Sequence, residues 1–166
     1  ATGGMRQYLL DYTAVYLLHD HPNEAGKVYP GVAKQWAVDG ATSTIYYRID
    51  PDARWSDGRP ITTDDFVFTF YFMRSPHLNE PWYNNYYSTK YTSLTVYDKM
   101  TFALTMPENK PDLPSRSSLF APYPRHAYGD FGPGWLERFQ WRTPPTTGAY
   151  VLKEKDIEKG RSITLT

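Results

Sequence analysis

The sequence predicts an α+β fold with a mixed, largely antiparallel sheet and a few helices. Three observations indicate this class: alternating apolar segments separated by short turns, one helix with a well-marked start, and no regular strand–helix–strand rhythm of the kind that builds a doubly wound sheet. The chain has 166 residues, which is enough for one ordinary domain with its own core.

In the N-terminal third, the sequence predicts mostly strands and loops. We expect a helix followed by a strand over residues 6–18, a polar loop over 19–26, and a strand or an irregular run over 28–38. Asp39-Gly40 is a turn signal, and residues 43–49 alternate as a half-buried strand does.

The clearest helix begins at Thr62. This residue is a good helix cap, and Asp65 stands three positions later, where a capping box places its acidic partner. Apolar residues then recur at helical spacing until Ser75-Pro76 ends the segment. The preceding residues 51–60 predict a loop with a tight turn.

The second half of the chain alternates loops with short elements. Residues 93–97 and 100–106 predict a hairpin around Asp98-Lys99. The other expected elements are loops over 77–92 and 107–114, short helices over 119–128 and 135–139, and strands over 148–153 and 162–166 around a turn near Lys159-Gly160.

Composition excludes several classes of protein. Acidic and basic side chains number 18 each, so the basic excess typical of nucleic-acid binding is absent and we expect no nucleic-acid partner. The chain has no cysteine, which excludes disulfides and cysteine-ligated metals. No apolar run approaches the roughly 20 residues that span a bilayer.

Both ends of the chain look internal to a longer protein. A start at Ala-Thr-Gly-Gly is not a native translation start, and residues 163–166 resemble the middle of a strand. We interpret the chain as a fragment at both ends, with any leader not present in it, because the apolar run at 14–18 is too short for a signal peptide core.

No set of residues suited to catalysis emerges. His19-Asp20-His21 is the most metal-like cluster, but it has no third or fourth ligand, so a solvated loop is the expected structure. Adjacent Asp64 and Asp65 point about 100° apart on a helix, which favours capping over a catalytic pair. We interpret His126 as a structural histidine, and expect no cofactor, no metal and no enzymatic activity.

The aromatic content is high, at 17% of residues with 15 tyrosines. It peaks in residues 81–87, which read P-W-Y-N-N-Y-Y. Rigid aromatic rings beside amides can line a ligand cleft. The same residues can equally form a loop that covers the edge of the core, and the sequence leaves both interpretations open.

Five segments, in order, resemble one known family. The longest and most specific is residues 54–68, R-W-S-D-G-R-P-I-T-T-D-D-F-V-F. The others are residues 30–36 (P-G-V-A-K-Q-W), 44–49 (T-I-Y-Y-R-I), 122–126 (P-Y-P-R-H) and 147–150 (T-G-A-Y, with alanine where the family pattern has proline). Together they resemble the family 5 extracellular solute-binding proteins, the oligopeptide, dipeptide and nickel receptors of ABC importers.

The resemblance implies a partial fold of the type II periplasmic binding protein kind. Residues 15–125 would form a small inserted α+β domain, residues 1–14 and 126–166 would be flanking parts of the first ligand-binding lobe, and the second lobe would be absent. Trp36 and Trp55 would then be core anchors.

The resemblance also implies a function. The protein would capture peptides or peptide-like solutes in the periplasm, or while lipid-anchored outside the cytoplasmic membrane, and deliver them to an ABC permease of the inner membrane. The alternative is a sensory or chaperone-like receptor domain that binds a partner protein on the same scaffold. The sequence does not name the solute.

Six residues are expected at the ligand by the same resemblance: Thr2, Gly3, Gly4, Trp82, Tyr83 and Tyr86. Glycines at the first lobe would permit close approach of a ligand main chain. The competing interpretation of Gly3-Gly4 is a flexible cut end or a cloning scar.

Overall fold

The computed structural model describes residues 9, 12–78, 80–108, 112–139 and 142–166. Its strands are β1 (Leu18–Asp20), β2 (Val28–Pro30), β3 (Ala33–Asp39), β4 (Thr44–Ile49), β5 (Ser93–Val96), β6 (Thr101–Thr105), β7 (Ile157–Glu158) and β8 (Ser162–Ile163). Its helices with described bounds are α1 (Thr63–Phe72), α2 (Pro81–Lys90), α3 (Leu113–Ser118), α4 (Arg125–Tyr128) and α5 (Trp135–Phe139), with 3₁₀ turns at Pro76–Leu78 and Glu154–Asp156.

A four-stranded antiparallel sheet, in the order β3-β4-β6-β5, carries the core. Alternation places Tyr47 of β4 opposite Phe102 of β6 on the inner face. Phe66 of α1 stacks on Phe102 with ring centroids 4.6 Å apart, so the helix closes this face. The predicted α+β class and the β5–β6 hairpin are confirmed.

Helix α1 begins as the sequence predicts. Thr62 and Asp65 form a reciprocal capping box, in which the Thr62 backbone N–H donates to Asp65 Oδ2 at 3.0 Å. The indole N–H of Trp55 donates to the same oxygen at 3.3 Å. Burial raises the pKa of Asp65, and these hydrogen bonds oppose that effect. Asp65 is therefore a structural carboxylate, as its position in the pattern indicated.

The predicted loop over residues 77–92 is wrong, because most of it is helix α2. Pro81 occupies the first turn, where its missing N–H has no intrahelical partner to lose. At the other end, the Arg74 guanidinium donates to the carbonyls of Tyr87 (2.9 Å) and Tyr91 and lies 3.6 Å over the Phe70 ring. The last turn of α2 is thus stabilised by a residue beyond the end of α1, which no local pattern shows.

The N-terminal strands also differ from the prediction. The loop expected over residues 19–26 begins inside β1, and the segment expected over 28–38 is divided into β2 and β3. The division falls at Gly31, where an added Cβ would lie 2.2 Å from the Tyr16 carbonyl oxygen. Trp36 packs on the edge of the core and is only half-buried, whereas Trp55 is buried as expected.

Two C-terminal predictions are corrected. The helix expected over residues 119–128 is reduced to α4, since Pro122 and Pro124 prevent helix further back. Residues 148–153 form no strand, although Val151 and Thr166 exchange two backbone hydrogen bonds of 2.7 and 3.0 Å. The turn at Lys159-Gly160 and helix α5 are present as predicted.

Two distant segments, residues 12–15 and 146–150, run side by side in a contact that we call the crossing. Gly148 donates its N–H to the Thr13 carbonyl at 2.9 Å, and the Val15 N–H donates to the Thr147 hydroxyl at 2.8 Å. Ser56 joins them, because its N–H donates to the Thr146 carbonyl at 2.8 Å. The crossing therefore brings two of the sequence motifs, residues 54–68 and 147–150, to one place.

The crossing requires glycine at position 148. An added Cβ would lie 2.6 Å from both the Thr13 carbonyl carbon and the Tyr12 carbonyl oxygen, which are backbone atoms that cannot rotate away. We expect Gly148→Ala to lower the free energy of unfolding by about 1–3 kcal/mol, measured by urea denaturation. The control is Gly132→Ala, because the corresponding space at Gly132 is open. Equal stability of the two variants would contradict a tight crossing.

Candidate ligand-binding cleft

A cleft of about 420 Å³ opens beside helix α2. Its walls include four aromatic residues of α2 between positions 82 and 87, Tyr16, Trp55, residues 121–124 and residues 144–147. These segments are far apart in the sequence, so the cleft is formed by tertiary packing and its walls converge only in the fold. Its size lies within the range of small-molecule sites.

The three aromatic residues predicted at the ligand, Trp82, Tyr83 and Tyr86, all line this cleft. Trp82 stacks on Tyr86 with ring centroids 5.1 Å apart and an interplanar angle of 11°, and it meets Tyr83 edge-on at 5.0 Å. Thr2, Gly3 and Gly4 lie outside the described residues. Their expected place at the ligand stays a prediction.

Helix α2 combines the two interpretations of the aromatic segment. Tyr87 is 7% exposed and packs in the core, although it also lines the cleft, whereas Trp82 is 65% exposed at the mouth of the cleft. The segment therefore both covers the core edge and presents rings to the cleft. The i, i+4 pairs Trp82–Tyr86 and Tyr83–Tyr87 would have revealed this arrangement if the segment had been interpreted as a helix.

Residues from motifs that are far apart in the sequence meet at the cleft. Trp55, expected only as a core anchor, is 4% exposed and still contributes to the cleft wall. Residues 122–124 and 144–147 stand beside it. The Ser56 hydroxyl accepts a hydrogen bond from the Thr146 N–H at 3.0 Å. This bond holds the turn that carries Trp55 against residues 144–147. Sequence reasoning missed this convergence, because only the order of the motifs is visible in the sequence.

A hydrogen-bonded pair of side chains, Asp57 and His126, lies behind Trp55. His126 Nε2 lies 2.8 Å from Asp57 Oδ2, and the His126 ring meets the Trp55 indole edge-on at 6.1 Å. Burial alone would raise the pKa of Asp57, but hydrogen bonds from the Arg59 N–H and the His126 ring bring it below its ordinary value. His126 is thus hydrogen-bonded within the fold, as predicted, and it fixes α4 to the turn that carries Trp55.

The charged side chains near the cleft are bonded to other groups of the protein. Lys90 bonds to the Tyr86 hydroxyl, Arg74 bonds to helix carbonyls, and Asp57 pairs with His126. Among the described residues, none with a charged side chain lines the cleft. Burial raises the pKa of Tyr87 and Tyr128, so these two phenols of the wall are neutral. The wall is therefore neutral and mostly made of rings.

The described residues contain no group of three or more His, Cys, Asp or Glu side chains that could hold a metal ion. In the cluster considered from the sequence, His19 stacks on Tyr29 with ring centroids 5.4 Å apart, and His21 Nε2 lies 3.8 Å from Glu24. Nor does any helix in the described ranges reach the length and apolarity that a bilayer crossing needs.

Comparison with known proteins gives one family. The model of the bacterial extracellular solute-binding proteins, family 5 Middle, matches residues 27–166. The chain is 30% identical over 158 residues to the periplasmic murein peptide-binding protein MppA of Escherichia coli (strain K12), a match that covers 82% of this chain and 28% of the relative.

Solved structures share the fold. The Haemophilus influenzae OppA complex with the peptide RPPGFSPFR matches with a TM-score of 0.67 at 21% identity, covering 86% of this chain and 30% of that one. MoaA of A. tumefaciens R10, in complex with mannopinic acid, matches with a TM-score of 0.74 at 22% identity, covering 100% and 33%. The neighbours are type II periplasmic binding proteins, which confirms the predicted architecture. The chain spans no more than about a third of the length of each of these proteins.

The Asp57–His126 pair predicts a pH-dependent stability. Because the pKa of Asp57 in the folded protein lies below its ordinary 3.8, its contribution is present above pH 3.8 and is lost as the pH falls through the lower value. We expect Asp57→Asn to lower the free energy of unfolding by about 0.5 kcal/mol at pH 6, since partly exposed pairs are weak, and by less at pH 3.

Urea denaturation at both pH values checks this expectation, with the exposed Asp52→Asn in the same loop as the control. A destabilisation by Asp57→Asn that is equal at pH 6 and pH 3 would contradict a role for its charge.

Proposed function

The chain belongs to the bacterial extracellular solute-binding proteins of family 5, and from this premise we propose that the protein is the substrate-binding component of an ABC importer. It captures peptides or peptide-like solutes outside the cytoplasmic membrane, in the periplasm or on a lipid anchor, and delivers them to an inner-membrane permease. The periplasmic location of the relative MppA supports this assignment. The family consists of receptors and not of enzymes.

The observation that carries the proposal is the aromatic cleft beside α2. A ligand site needs a concave, mostly apolar wall of a few hundred Å³ with positioned polar groups, and this cleft of about 420 Å³ has tyrosine hydroxyls on its rings. Trp82, Tyr83 and Tyr86 are the proposed contact residues. Tyrosine and tryptophan suit this role, because they offer large contact areas with few rotatable bonds.

The proposed mechanism of solute capture depends on how the chain is divided into domains. We propose that residues 15–125 are the small inserted domain and that residues 1–14 and 126–166 belong to the first lobe. The crossing is consistent with this division, because it joins the two flanking segments to each other at Thr13 and Gly148. A second lobe then closes over the solute by hinge motion, and no covalent step is needed.

Peptide-like solutes are proposed from the relatives. MppA is named for murein peptides, and the H. influenzae OppA structure contains a peptide. The alternative, a sensory or chaperone-like receptor, would use the exposed Trp82 for a protein partner.

Native mass spectrometry of the full-length product of the gene that encodes this chain tests the proposal. We expect a co-purified mass of peptide size, and a loss of affinity of about 3- to 10-fold in Trp82→Ala, because one stacking contact is worth about 0.5–1.5 kcal/mol. The matched control is Tyr71→Ala, an aromatic residue that is 68% exposed and lies outside the cleft.

A full-length protein that carries no small mass and ignores peptide mixtures, but that retains a specific protein partner, would contradict transport and favour the receptor alternative. Equal affinity of Trp82→Ala and Tyr71→Ala for the solute would remove Trp82 from the contact surface.

A further inference from the structure

The wall of the cleft is made of flat rings. Aromatic rings come from α2, Tyr16, Trp55 and Tyr123, and four prolines at positions 122, 124, 144 and 145 stand among them. Trp82 stacks almost parallel on Tyr86 and is still 65% exposed, so the Trp82 ring is available at the mouth. Flat apolar surfaces bind flat partners best, because offset stacking maximises the contact area.

The threonine hydroxyls of the wall are already engaged. Thr13 donates to the Leu9 carbonyl at 2.7 Å, Thr146 donates to the Tyr150 carbonyl at 3.2 Å, and Thr147 accepts the Val15 N–H at 2.8 Å. These hydroxyls bond to other parts of the protein at or beside the crossing and do not donate hydrogen bonds into the cleft. The polar contribution of the threonines to recognition is accordingly small.

Nearby charges are turned away from the cleft by specific partners. The Lys90 ammonium bonds to the Tyr86 hydroxyl and lies 4.7 Å over the Tyr86 ring, on α2 one turn past the cleft. The Arg74 guanidinium is held by two carbonyls at the end of α2. The Asp57 carboxylate is hydrogen-bonded to His126 behind Trp55. A charged group of a solute that binds this wall would lose its hydration. It would gain no ionic partner among the described residues that line the cleft, which is unfavourable.

From these contacts we propose that this wall binds an uncharged ring of the solute, stacked at Trp82. The inference rests on the proposed function, and it deepens that function by naming the chemistry that this wall selects. Two sources supply such a ring: an aromatic side chain of a peptide, or the apolar face of a neutral sugar. Charged groups of the solute are then bound by other residues of the full-length protein.

Two matched pairs of probes test the proposal on the full-length gene product by calorimetry. The first pair is alanine tripeptides that carry Phe or Glu at one position, with each position sampled in turn. The second pair is a methyl glucoside and the corresponding methyl glucuronide, which differ in charge and share the ring. Both pairs are measured on the wild type, on Trp82→Ala and on the Tyr71→Ala control.

At one peptide position, we expect the Phe peptide to bind about tenfold more tightly than the Glu peptide, which corresponds to about 1.4 kcal/mol. In Trp82→Ala this ratio should fall below about threefold, since the stacking surface is lost, while Tyr71→Ala should retain it. This outcome supports the proposal with a peptide as the source of the ring.

The remaining outcomes separate the two proposals. Binding of the glucoside over the glucuronide, with no peptide bound, supports the neutral-ring wall and overturns the peptide assignment. Equal binding of Phe and Glu peptides at every position, or equal weakening of both by Trp82→Ala, overturns the neutral-ring wall and leaves peptide binding intact. If neither the peptides nor the two sugars bind, both proposals are contradicted.

Discussion

The close backbone contact at the crossing is the constraint on which the cleft depends. Gly148 approaches Thr13 closely enough that no side chain fits between them, and the Ser56 hydrogen bonds fix the turn that carries Trp55 to the same place. Without both sets of contacts, residues 144–147 would have no fixed position relative to Trp55. The cleft would then lose one of its walls.

Helix α2 supplies the opposite wall, and long-range contacts place it. Its own composition favours a helix only weakly, since tyrosine and asparagine are poor helix formers. The Arg74 guanidinium bonds to its carbonyl end, and buried Tyr87 packs with Tyr91 against Phe120. The same contacts that anchor the helix leave Trp82 at the mouth of the cleft. One helix thus packs in the core through Tyr87 and presents the Trp82 ring at the cleft.

The sequence predicted elements whose cause is local. The capping box of Thr62 and Asp65 and the hairpin around Asp98-Lys99 depend on neighbours within a few residues, and both are present. It failed where the cause is distant: α2 is stabilised by Arg74, and the predicted strand over residues 148–153 gives way to the pairing of Gly148 with Thr13. Trp82, Tyr83 and Tyr86 were predicted at the ligand through a family resemblance, whereas their convergence with Trp55 and residues 144–147 required the three-dimensional fold.

The central claim is that the aromatic wall beside α2 contacts the solute. A crystal structure of the full-length protein with its co-purified solute tests this claim most directly. The account predicts an uncharged ring of the solute within about 4 Å of Trp82 and Tyr86, which is the distance of van der Waals contact. A solute bound elsewhere, with Trp82 still open to solvent, would contradict it.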